Sequence, residues 1–448
     1  MFTELRLENF KGWEDTGPIR LAPITLFFGS NSSGKTSLLQ SILLLRQTAA
    51  TSDRSRVLNT GDERSLVDLG TPTDLIYGHQ TDRTLGISLR WTPRIVFGEA
   101  WDLESLGFRV EVMLTTEGQP VIAGFSYDFA ENSVGMARRE GEDTYDLVTA
   151  GVSLKRRKGR PWPLPRPIRF YGFPDEAQNY YQDAQWLLDL VLELERQLSG
   201  VQYVGPLREY PKRVYLWAGD RPESVGTRGE QAVAALLAAR ADKRKIPLGE
   251  GKGRRYPPFE AVIAAQLQRM GVIDSFEVLP IAPNRKDYEV RVRRSPGSPE
   301  VLLTDVGFGV SQLLPVIVQS YYAATGSTVI FEQPEIHLHP RVQADLADVI
   351  VDAMRRCGVQ FIIESHSEHF LRRLQRRIAE AETITSDEVA LYRCDEEGGR
   401  STLQELCVDE YGNITNWPKD FFGDEMGDLA AMTKAGIRRR REEKEKSG

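Results

Sequence analysis

Apolar and polar residues alternate along the start of the chain, and FTELRLENF therefore predicts a β-strand. IRLAPITLFF predicts a second strand. A glycine-rich turn follows it, and in SLLQSILLLRQTAA the apolar residues recur at helical spacing. The pattern thus predicts a strand, a glycine-rich turn and a helix in direct succession.

The middle of the sequence has a different pattern. Between about residues 81 and 170, short alternating segments predict strands in ISLRW, FRVEVML, PVIAGFSYDF and YDLVTAGVSL. Helical spacing then predicts one helix from Asp175 to Leu198, and GTRGEQAVAALLAAR and FEAVIAAQLQRM predict two more. We therefore expect a β-rich and helical insertion, which forms a lid or an arm, over residues 81–200.

The last third returns to alternating strands and helices. STVIFEQPE and VQFIIESHS are apolar strands that end in polar residues, and RVQADLADVIVDAMRRC and EHFLRRLQRRIAEAE are the helices that follow them. VALYRCDEEGGRSTLQELCV predicts a hairpin around Gly398–Gly399. These elements predict an α/β fold with a mixed or parallel core sheet. Residues 1–80 and 201–405 would form its two parts, and residues 406–448 a small C-terminal region.

Composition narrows the function classes. The chain has 448 residues, of which 41% are hydrophobic and 27% charged, as in ordinary globular proteins. No stretch reaches the roughly 18 apolar residues of a membrane span, and no signal peptide is evident, so no membrane association is expected. The three cysteines, Cys357, Cys394 and Cys407, lie far apart, which favours a reducing cytoplasm over a disulfide scaffold or a zinc site.

Charge limits the nucleic-acid hypothesis to local patches, because the formal net charge is −7. Two basic stretches are candidates, Lys155–Arg169, which contains Trp162, and Lys243–Arg255. Clustered Lys and Arg with an aromatic residue can follow a phosphate backbone. Charge runs are usually solvated loops, and we favour that explanation for both stretches.

GSNSSGKT satisfies the P-loop pattern G-x-x-x-x-G-K-[ST] at every fixed position. Its glycines let consecutive backbone N–H groups turn inward toward phosphates, Lys35 adds a positive charge, and the Thr36 hydroxyl serves Mg²⁺. The alternative is a glycine turn that caps a helix. The predicted nucleotide-binding residues are Gly29, Ser30, Asn31, Ser32, Ser33, Gly34, Lys35, Thr36 and Ser37.

The later motifs, in this order, resemble those of the ABC-type ATPase heads of the SMC, RecF and OLD (overcoming lysogenization defect) group. They are the P-loop, a glycine segment that opens a helix in DVGFGVSQLLP, the strand end VIFEQPEIHLHP, and an apolar strand that ends in Ser–His–Ser. The resemblance covers both ends of the chain but not its middle. It implies a P-loop NTPase fold of ABC-ATPase type, with ATP and Mg²⁺ as cofactors.

The strand end departs from the pattern of these heads, which place Asp and then Glu before the proline. Glu332 and Gln333 stand there, so the resemblance implies that Glu332 reaches the metal and that the catalytic base is missing. An amide cannot accept a proton, and loss of a general base costs about 10²–10⁴-fold in rate. We expect slow hydrolysis, or hydrolysis that uses Glu335 instead. A loop-start acid without chemistry is the alternative for Glu335.

Two further motifs are assigned through the same resemblance. Gly307 and Gly309 match the signature segment that contacts the nucleotide of a partner subunit, which implies a head-to-tail homodimer across ATP. An ordinary glycine turn is the alternative. His366 matches the switch histidine that senses the γ-phosphate, and His337 and His339 would belong to a loop that faces the dimer partner.

Other assignments rest on weaker signals. Lys11 and Trp13 are candidates for adenine contacts, and His79 and Gln80 for a loop near Mg²⁺. Arg208 could act on phosphate or at a dimer interface, but its sequence favours a solvated surface arginine. NITNWPKDFFGDE resembles a small C-terminal region of uncharacterised function in some bacterial ATPases, and we expect its aromatic residues to fold onto the head.

The P-loop and the family resemblance together favour a cytoplasmic, ATP-binding dimeric switch, and the resemblance suggests a sensor or regulator in antiphage defence that controls a separately encoded effector. The chain lacks the acidic cluster of a Toprim nuclease after the ATPase motifs, so we expect no intrinsic nuclease. The alternative is a DNA-maintenance ATPase of the RecF type that binds DNA through Lys155–Arg169. A subunit that energises a transporter is disfavoured by the weak signature segment.

Overall fold

In the computed structural model the described residues are 1–93, 103–157, 162–248, 255–418, 421–422 and 431–439. Over these residues the chain forms three β-sheets and eight named α-helices. The helices are α1 (Lys35–Ala50), α2 (Asp175–Tyr180), α3 (Trp186–Ser199), α4 (Ala232–Ala241), α5 (Phe259–Arg269), α6 (Phe308–Tyr322), α7 (Pro340–Cys357) and α8 (Glu368–Glu380).

The core sheet has six strands in the order β10-β15-β16-β4-β17-β18. Their bounds are β4 (Ile24–Gly29), β10 (Val201–Val204), β15 (Thr328–Glu332), β16 (Gln360–Glu364), β17 (Val389–Glu397) and β18 (Arg400–Glu405). The first five strands run parallel and β18 is antiparallel. This mixed α/β core confirms the predicted fold class.

Both faces of the core sheet are covered, so its central strands are apolar throughout rather than alternating. Phe28 faces the cluster that holds α4 to α8, whereas Phe27 faces the cluster that holds α1, α3 and the large antiparallel sheet. All residues of β15 and β16 are buried, including the glutamate at the end of each strand. The core therefore lies in two layers, and buried carboxylates stand at the carboxyl edge of the sheet.

The large antiparallel sheet combines the N-terminal strands with those of the middle region. It contains β1 (Phe2–Phe10), β2 (Trp13–Asp15), β3 (Ile19–Arg20), β5 (Leu85–Trp91), β6 (Leu106–Leu114), β7 (Pro120–Phe129), β8 (Asn132–Arg138) and β9 (Tyr145–Ala150). Because β5 pairs directly with β1, the β-rich middle region continues a sheet that the N-terminal segment begins. The domain bounds at 80/81 and 200/201 stay predictions.

Three elements differ from the sequence-based predictions. IRLAPITLFF is two strands, β3 and β4, in two different sheets, since Pro23 lies between them and has no N–H for a ladder. The single helix predicted from Asp175 to Leu198 is divided into α2 and α3, and Asp183 between them has a φ of 52°. Strand β8 was not predicted, because Gly135 interrupts its alternating pattern. The structure requires glycine at this position, since a Cβ would lie 1.9 Å from the Phe125 carbonyl oxygen.

A third sheet was also missed. It has four strands, β11 (Tyr215–Leu216), β12 (Ser275–Pro280), β13 (Asp287–Arg293) and β14 (Glu300–Leu302), and its apolar side joins the core layer of α4 and α5. The predicted hairpin is present, because β17 and β18 are joined by Gly398 and Gly399, whose φ angles of 60° and 83° suit a two-residue turn.

The C-terminal aromatic residues pack onto the core sheet, as expected. The rings of Phe421 and Phe422 each lie 5.9 Å from the ring of Phe28, edge to face, and the Arg372 guanidinium lies 4.3 Å from the Trp417 ring centre. Residues 431–439 are helical. The rest of the segment after Phe422, like the charged chain end from residue 440, lies outside the described residues.

Candidate nucleotide-binding site

The P-loop connects the end of β4 to the start of α1. Gly29 ends the strand with a φ of 142°, Ser32 has a φ of 64°, and Gly34 caps the helix with a φ of 92°. A Cβ at Gly29 would lie 2.0 Å from the Cys394 carbonyl oxygen, so the neighbouring strand β17 admits only glycine there. The loop thus has the curled backbone that directs N–H groups toward an anion.

Lys35 lies inside this loop. Its Nζ donates to the carbonyl oxygens of Gly29 at 3.1 Å and Ser30 at 2.6 Å, while the side chain is only 3% exposed. Burial lowers the pKa of Lys35, although the Glu364 carboxylate opposes this shift. The ammonium group therefore occupies the centre of the predicted phosphate cradle, whose residues Ser30, Asn31 and Ser32 remain exposed.

A buried tryptophan supports the loop from behind. The Trp13 Nε1–H donates to Ser37 Oγ at 2.9 Å and to the Gly34 carbonyl at 3.2 Å. A Cβ at Gly34 would lie 2.4 Å from Ser401 Oγ in β18. Trp13 is fully buried, so the predicted adenine contact is wrong for this residue in the described arrangement. Ser37 belongs to the same support, and Lys11 donates to Gln40 at 2.7 Å.

Thr36 meets a carboxylate that the sequence analysis did not assign. Its hydroxyl donates to Glu364 Oε2 at 2.7 Å, and Glu364, at the end of β16, is 3% exposed. Strand β16 lies between β4 and β15, so its last residue is closer to the P-loop than the last residue of β15. The available signal was that VQFIIE, like TVIFE, is an apolar strand ending in glutamate.

Glu332, the predicted metal residue, lies one strand further from the P-loop. It pairs in register with Glu364, and the Tyr203 hydroxyl donates to its Oε1 at 2.9 Å. Burial, together with the Glu364 charge, raises the pKa of Glu332 to about 7. The two glutamates and the Thr36 hydroxyl thus gather at one point of the carboxyl edge.

Gln333 continues directly from this edge. Its N–H donates to the Glu364 carbonyl at 2.8 Å, and its φ is 44°, a left-handed conformation that is strained for a residue with a long side chain. The loop that follows β15 is therefore fixed against the end of β16. The side-chain amide of Gln333 cannot act as a base.

Glu335 is buried against Ser365 and His366, which we call the switch segment. Its Oε1 accepts from Ser365 Oγ and from the His366 N–H, both at 2.7 Å, and its side chain is 5% exposed. Burial raises the pKa of Glu335, and the nearby Arg208 charge lowers it. Within the described part of the chain, no hydrogen-bond partner reaches Glu335 Oε2. These contacts favour a positioning role for Glu335 over a base role, which stays untested.

Arg208 is the residue whose environment differs most from its sequence-based interpretation. It is 4% exposed, not a solvated surface arginine, and its Nη2 donates to the carbonyl oxygens of Glu332 at 3.4 Å and Gln333 at 3.3 Å. Burial lowers the pKa of Arg208 to about 10, against the opposing charge of Glu335. Through these hydrogen bonds Arg208 stabilises the backbone at the end of β15 and the start of the loop that follows. This role becomes visible only in the tertiary structure.

His366 follows Glu364 and Ser365 at the end of β16, and its side chain is exposed. Partial desolvation lowers the pKa of His366, and the charge of Lys35 lowers it further. The structure therefore brings His366 near the P-loop lysine. This position suits the predicted switch role, which remains a prediction.

The glycines of the signature segment lie at an open helix start. Gly307 precedes α6, and a Cβ added to it would meet no atom within 4 Å. A Cβ at Gly309 would lie 3.7 Å from the His337 carbonyl oxygen, so this helix start adjoins the loop after β15. His337 is exposed, whereas His339 caps α7, with its Nδ1 accepting from the Arg341 N–H at 3.3 Å.

The described contacts of several weaker candidates are with residues outside the P-loop and the strand ends. His79 is exposed and lies 3.7 Å from Asp74, and Gln80 next to it is exposed as well. In the Lys155–Arg169 stretch, residues 158–161 lie outside the described residues. The arginines with described contacts are engaged within the chain: Arg156 and Arg157 with Tyr181, Arg166 with Asp143 and Arg169 with Tyr171. In Lys243–Arg255, residues 249–254 also lie outside the described residues.

The donor set at the edge suits a hard cation. Thr36, Glu364 and Glu332 offer only oxygen ligands, as Mg²⁺ prefers, and Mg²⁺ commonly binds through one or two carboxylates plus substrate phosphates. Among the described residues, no cluster of three or more His, Cys, Asp or Glu side chains could hold a metal by itself.

Of the helices described, none is both long and apolar enough to cross a membrane.

Comparison with protein families finds two matches. Residues 263–371 match a family described as "AAA ATPase domain", and residues 384–432 match "Protein of unknown function (DUF3696)". The first match contains Gly307, Glu332, Gln333 and His366, whereas the P-loop lies before it. Over residues 263–371 the chain is thus similar to an ATPase domain, and its fold is of the α/β P-loop type. No match was found among curated proteins.

Three solved structures of SMC heads are similar to the chain. One is an SMC head bound to the C-winged helix domain of ScpA, with 12% identity, a TM-score of 0.48, and coverage of 91% of this chain and 98% of that chain. The SMC head domain from Thermotoga maritima has 11% identity, 90% and 98% coverage and a TM-score of 0.41. An Smc head with an extended coiled coil, bound to the C-terminal domain of ScpA derived from Pyrococcus furiosus, has 10% identity, 91% and 96% coverage and a TM-score of 0.43.

Proposed function

We propose that this protein is a dimeric, ATP-dependent switch with slow turnover. The observation that carries the proposal is the meeting of Lys35, Thr36 and Glu364 at the carboxyl edge of a parallel sheet. Ligands of open α/β sheets bind at this edge. Lys35 and the exposed N–H groups of the loop would hold the triphosphate, and Thr36 with the two strand-end glutamates would hold Mg²⁺.

Slow turnover follows from the groups around the reacting phosphate. Gln333 can orient water but cannot remove its proton, and Glu335 is buried and hydrogen-bonded to the switch segment. The bound state would therefore persist long enough to act as a signal. In this proposal His366, beside Lys35, registers whether the γ-phosphate is present.

The head-to-tail dimer is supported by the arrangement of two helices. Helix α1, which begins at the P-loop, packs on one face of the core sheet, and α6, which begins after Gly307, packs on the other. An exposed helix start with two glycines favours an anion. Because the two helix starts lie on opposite faces of the sheet, a phosphate group that contacts one start of each kind would lie between two chains. Closure of two chains on shared ATP supplies two distinct states.

The output of the switch would leave through the C-terminal region. Phe421 and Phe422 contact Phe28, the residue immediately before Gly29, so a change in the P-loop has a short path to this region. We propose that a separately encoded effector reads it, and that the system serves antiphage defence in the cytoplasm, as the family resemblance suggests.

The decisive experiment is a mass measurement by light scattering with ATP, with ADP and without nucleotide. ATP should double the mass of the unaltered protein, and Gly307→Asp should abolish the dimer while ATP binding remains, because a carboxylate at the α6 start repels phosphate. The position has room for the added side chain. Thr116→Asp, in the exposed turn between β6 and β7, is the matched control and should still dimerise.

A protein that stays monomeric with ATP would contradict the switch. An ATP-dependent dimer that also binds DNA with strong salt sensitivity would favour the DNA-maintenance alternative instead. Copurification of the unaltered protein, but not of Gly307→Asp, with the product of a neighbouring gene would support effector control.

A further inference from the structure

The carboxylate nearest to the Thr36 hydroxyl is Glu364, not the acid at the end of the Walker B strand. The hydroxyl donates directly to Glu364 Oε2 at 2.7 Å, whereas Glu332 Oε1 accepts from Tyr203 at 2.9 Å. Thr36 is the P-loop residue whose hydroxyl serves the metal. The atom that contacts this hydroxyl therefore lies within reach of the same cation.

The order of the strands explains this difference. Glu364 pairs with Phe27 of β4, two residues before Gly29, whereas Glu332 pairs with Glu364 from the far side. Neighbouring strands lie about 4.8 Å apart, so Glu332 is one strand spacing further from the P-loop. The two side chains project on the same side, because residues in register on parallel strands share one face.

Glu364 is also electrically central to the site. Burial lowers the pKa of Lys35 and of His366, and the Glu364 charge opposes both shifts, so the carboxylate lies close to the cation of the loop and to His366. Glu364 is 3% exposed, and a buried carboxylate requires a compensating positive charge or strong hydrogen bonds. A divalent cation between Thr36 and Glu364 would supply that charge.

We propose that Glu364 is a direct ligand of the Mg²⁺ that accompanies ATP, and that Glu332 acts behind it through water. The proposal rests on the proposed binding of ATP. It assigns the principal metal carboxylate to the strand that also carries His366, so metal binding and phosphate sensing share one strand end. A ligand set of one hydroxyl, one carboxylate and phosphate oxygens is typical of Mg²⁺ sites.

A purely structural role is the competing explanation, in which Glu364 only holds the P-loop through Thr36. Glu364→Gln separates the two roles, because the amide oxygen still accepts the hydroxyl hydrogen bond but the charge is lost. A structural role predicts little change in this variant. A metal role predicts a specific loss of metal-dependent nucleotide affinity.

The test measures the Kd of a fluorescent ATP analogue, bound to the full chain, in EDTA and in excess Mg²⁺. The Kd in EDTA divided by the Kd in Mg²⁺ measures how much the metal strengthens binding, and this measurement requires no turnover. For Glu364→Gln we expect this ratio to fall at least about tenfold, while the Kd in EDTA stays the same or decreases. For Glu332→Gln we expect a fall of only about two- to threefold, as for a ligand that acts through water.

Glu368→Gln is the matched control, since Glu368 is four residues further along and pairs with Arg372 at the surface of α8. Its ratio should equal that of the unaltered protein. If Glu364→Gln does not fold, Glu364→Asp replaces it, and its shorter side chain should also lower the ratio. A ratio unchanged in the folded Glu364 variant overturns the proposal. Failure of the unaltered protein to bind the analogue in either buffer would instead overturn the proposed function.

Discussion

Two neighbouring parallel strands end in glutamate, yet the two strand ends differ in their surroundings. At the end of β15, Glu332 is bonded to Tyr203, Gln333 has a positive φ, and Arg208 supports the loop from below. At the end of β16, Glu364 contacts Thr36 of the P-loop, and His366 lies near Lys35. The first end is held in place by buried polar contacts, whereas the second end faces the P-loop.

This difference shows that the strand end with the most recognisable motif is not the one that contacts the P-loop. The β15 end carries the recognisable acid–Gln–Pro–Glu segment, but β16 is inserted between it and β4, so the less conspicuous strand end is the one that touches the P-loop. Within a parallel sheet, the distance to a ligand depends on strand order as much as on residue type. The four predictions below test this division between a supporting end at β15 and an end at β16 that faces the P-loop.

Removal of the Arg208 side chain should have the largest effect. Arg208→Ala should lower the free energy of unfolding by about 3–5 kcal/mol in urea denaturation, because Glu335 would stay buried without its opposite charge. Arg213→Ala is the control, since Arg213 forms an exposed ion pair with Asp305 at 2.9 Å and should cost less than about 1 kcal/mol. Equal losses in the two variants would show that the β15 end does not depend on Arg208.

Restoration of a carboxylate at Gln333 should have the next largest effect. Gln333→Glu should raise the rate of phosphate release about 10²-fold, the lower end of the contribution of a general base. Gln333→Ala controls for loss of the amide and should give no increase. A rate for Gln333→Glu no higher than that of the unaltered protein would mean that this position does not reach the attacking water.

The third prediction concerns pH in metal-free buffer. The pKa of Glu332, about 7 in the folded chain, is above its usual value of 4.5, so the unfolded chain loses this proton first as pH rises. The stability linked to this proton is complete below pH 4.5 and is lost as pH rises through 7, by on the order of 2 kcal/mol.

Urea denaturation at pH 5 and pH 8 checks this loss. Glu332→Gln should remove most of the difference in unfolding free energy between the two pH values, whereas Glu368→Gln, a half-buried surface control, should keep it. A pH dependence that survives in Glu332→Gln would assign it to another group.

The smallest effect is expected from relief of backbone strain. Gln333→Gly should raise the free energy of unfolding by up to about 1 kcal/mol, because glycine adopts a φ of 44° without steric cost. Gln80→Gly, at a φ of −83°, is the control and should be neutral or destabilising. Destabilisation by Gln333→Gly would show that the side chain contributes more than its strained backbone costs.

The parts that local sequence determines were predictable, and those that depend on tertiary contacts were not. The P-loop is one continuous segment, so its glycines and Lys35 could be identified from spacing alone. Glu364 was missed, since its role depends on where β16 lies in the sheet. Trp13 was misassigned to adenine, because nothing in its local sequence indicates that its indole supports Gly34 and Ser37.

Strand and helix limits show the same division. The pattern of PVIAGFSYDF gave β7 correctly, since one face of this strand is buried and alternation is clear. The four-stranded sheet of β11 to β14 has short strands with many charged residues, such as DYEVRVR, and its pairing becomes visible only in the structure. Arg208 lies in a proline-punctuated loop that sequence alone would place at the surface.

The central claim is that residues 29–36 hold the phosphates of ATP, and calorimetric titration of ATP into Lys35→Ala tests it most directly. Lys35 is buried inside the loop, where its Nζ donates to the carbonyl oxygens of Gly29 and Ser30. Because bound ATP would accept about two charge-assisted hydrogen bonds from this ammonium group, its loss should weaken ATP binding roughly 100-fold. Lys286→Ala, at an exposed turn before β13, should bind as the unaltered protein does. Equal affinity in Lys35→Ala and the unaltered protein would contradict the account.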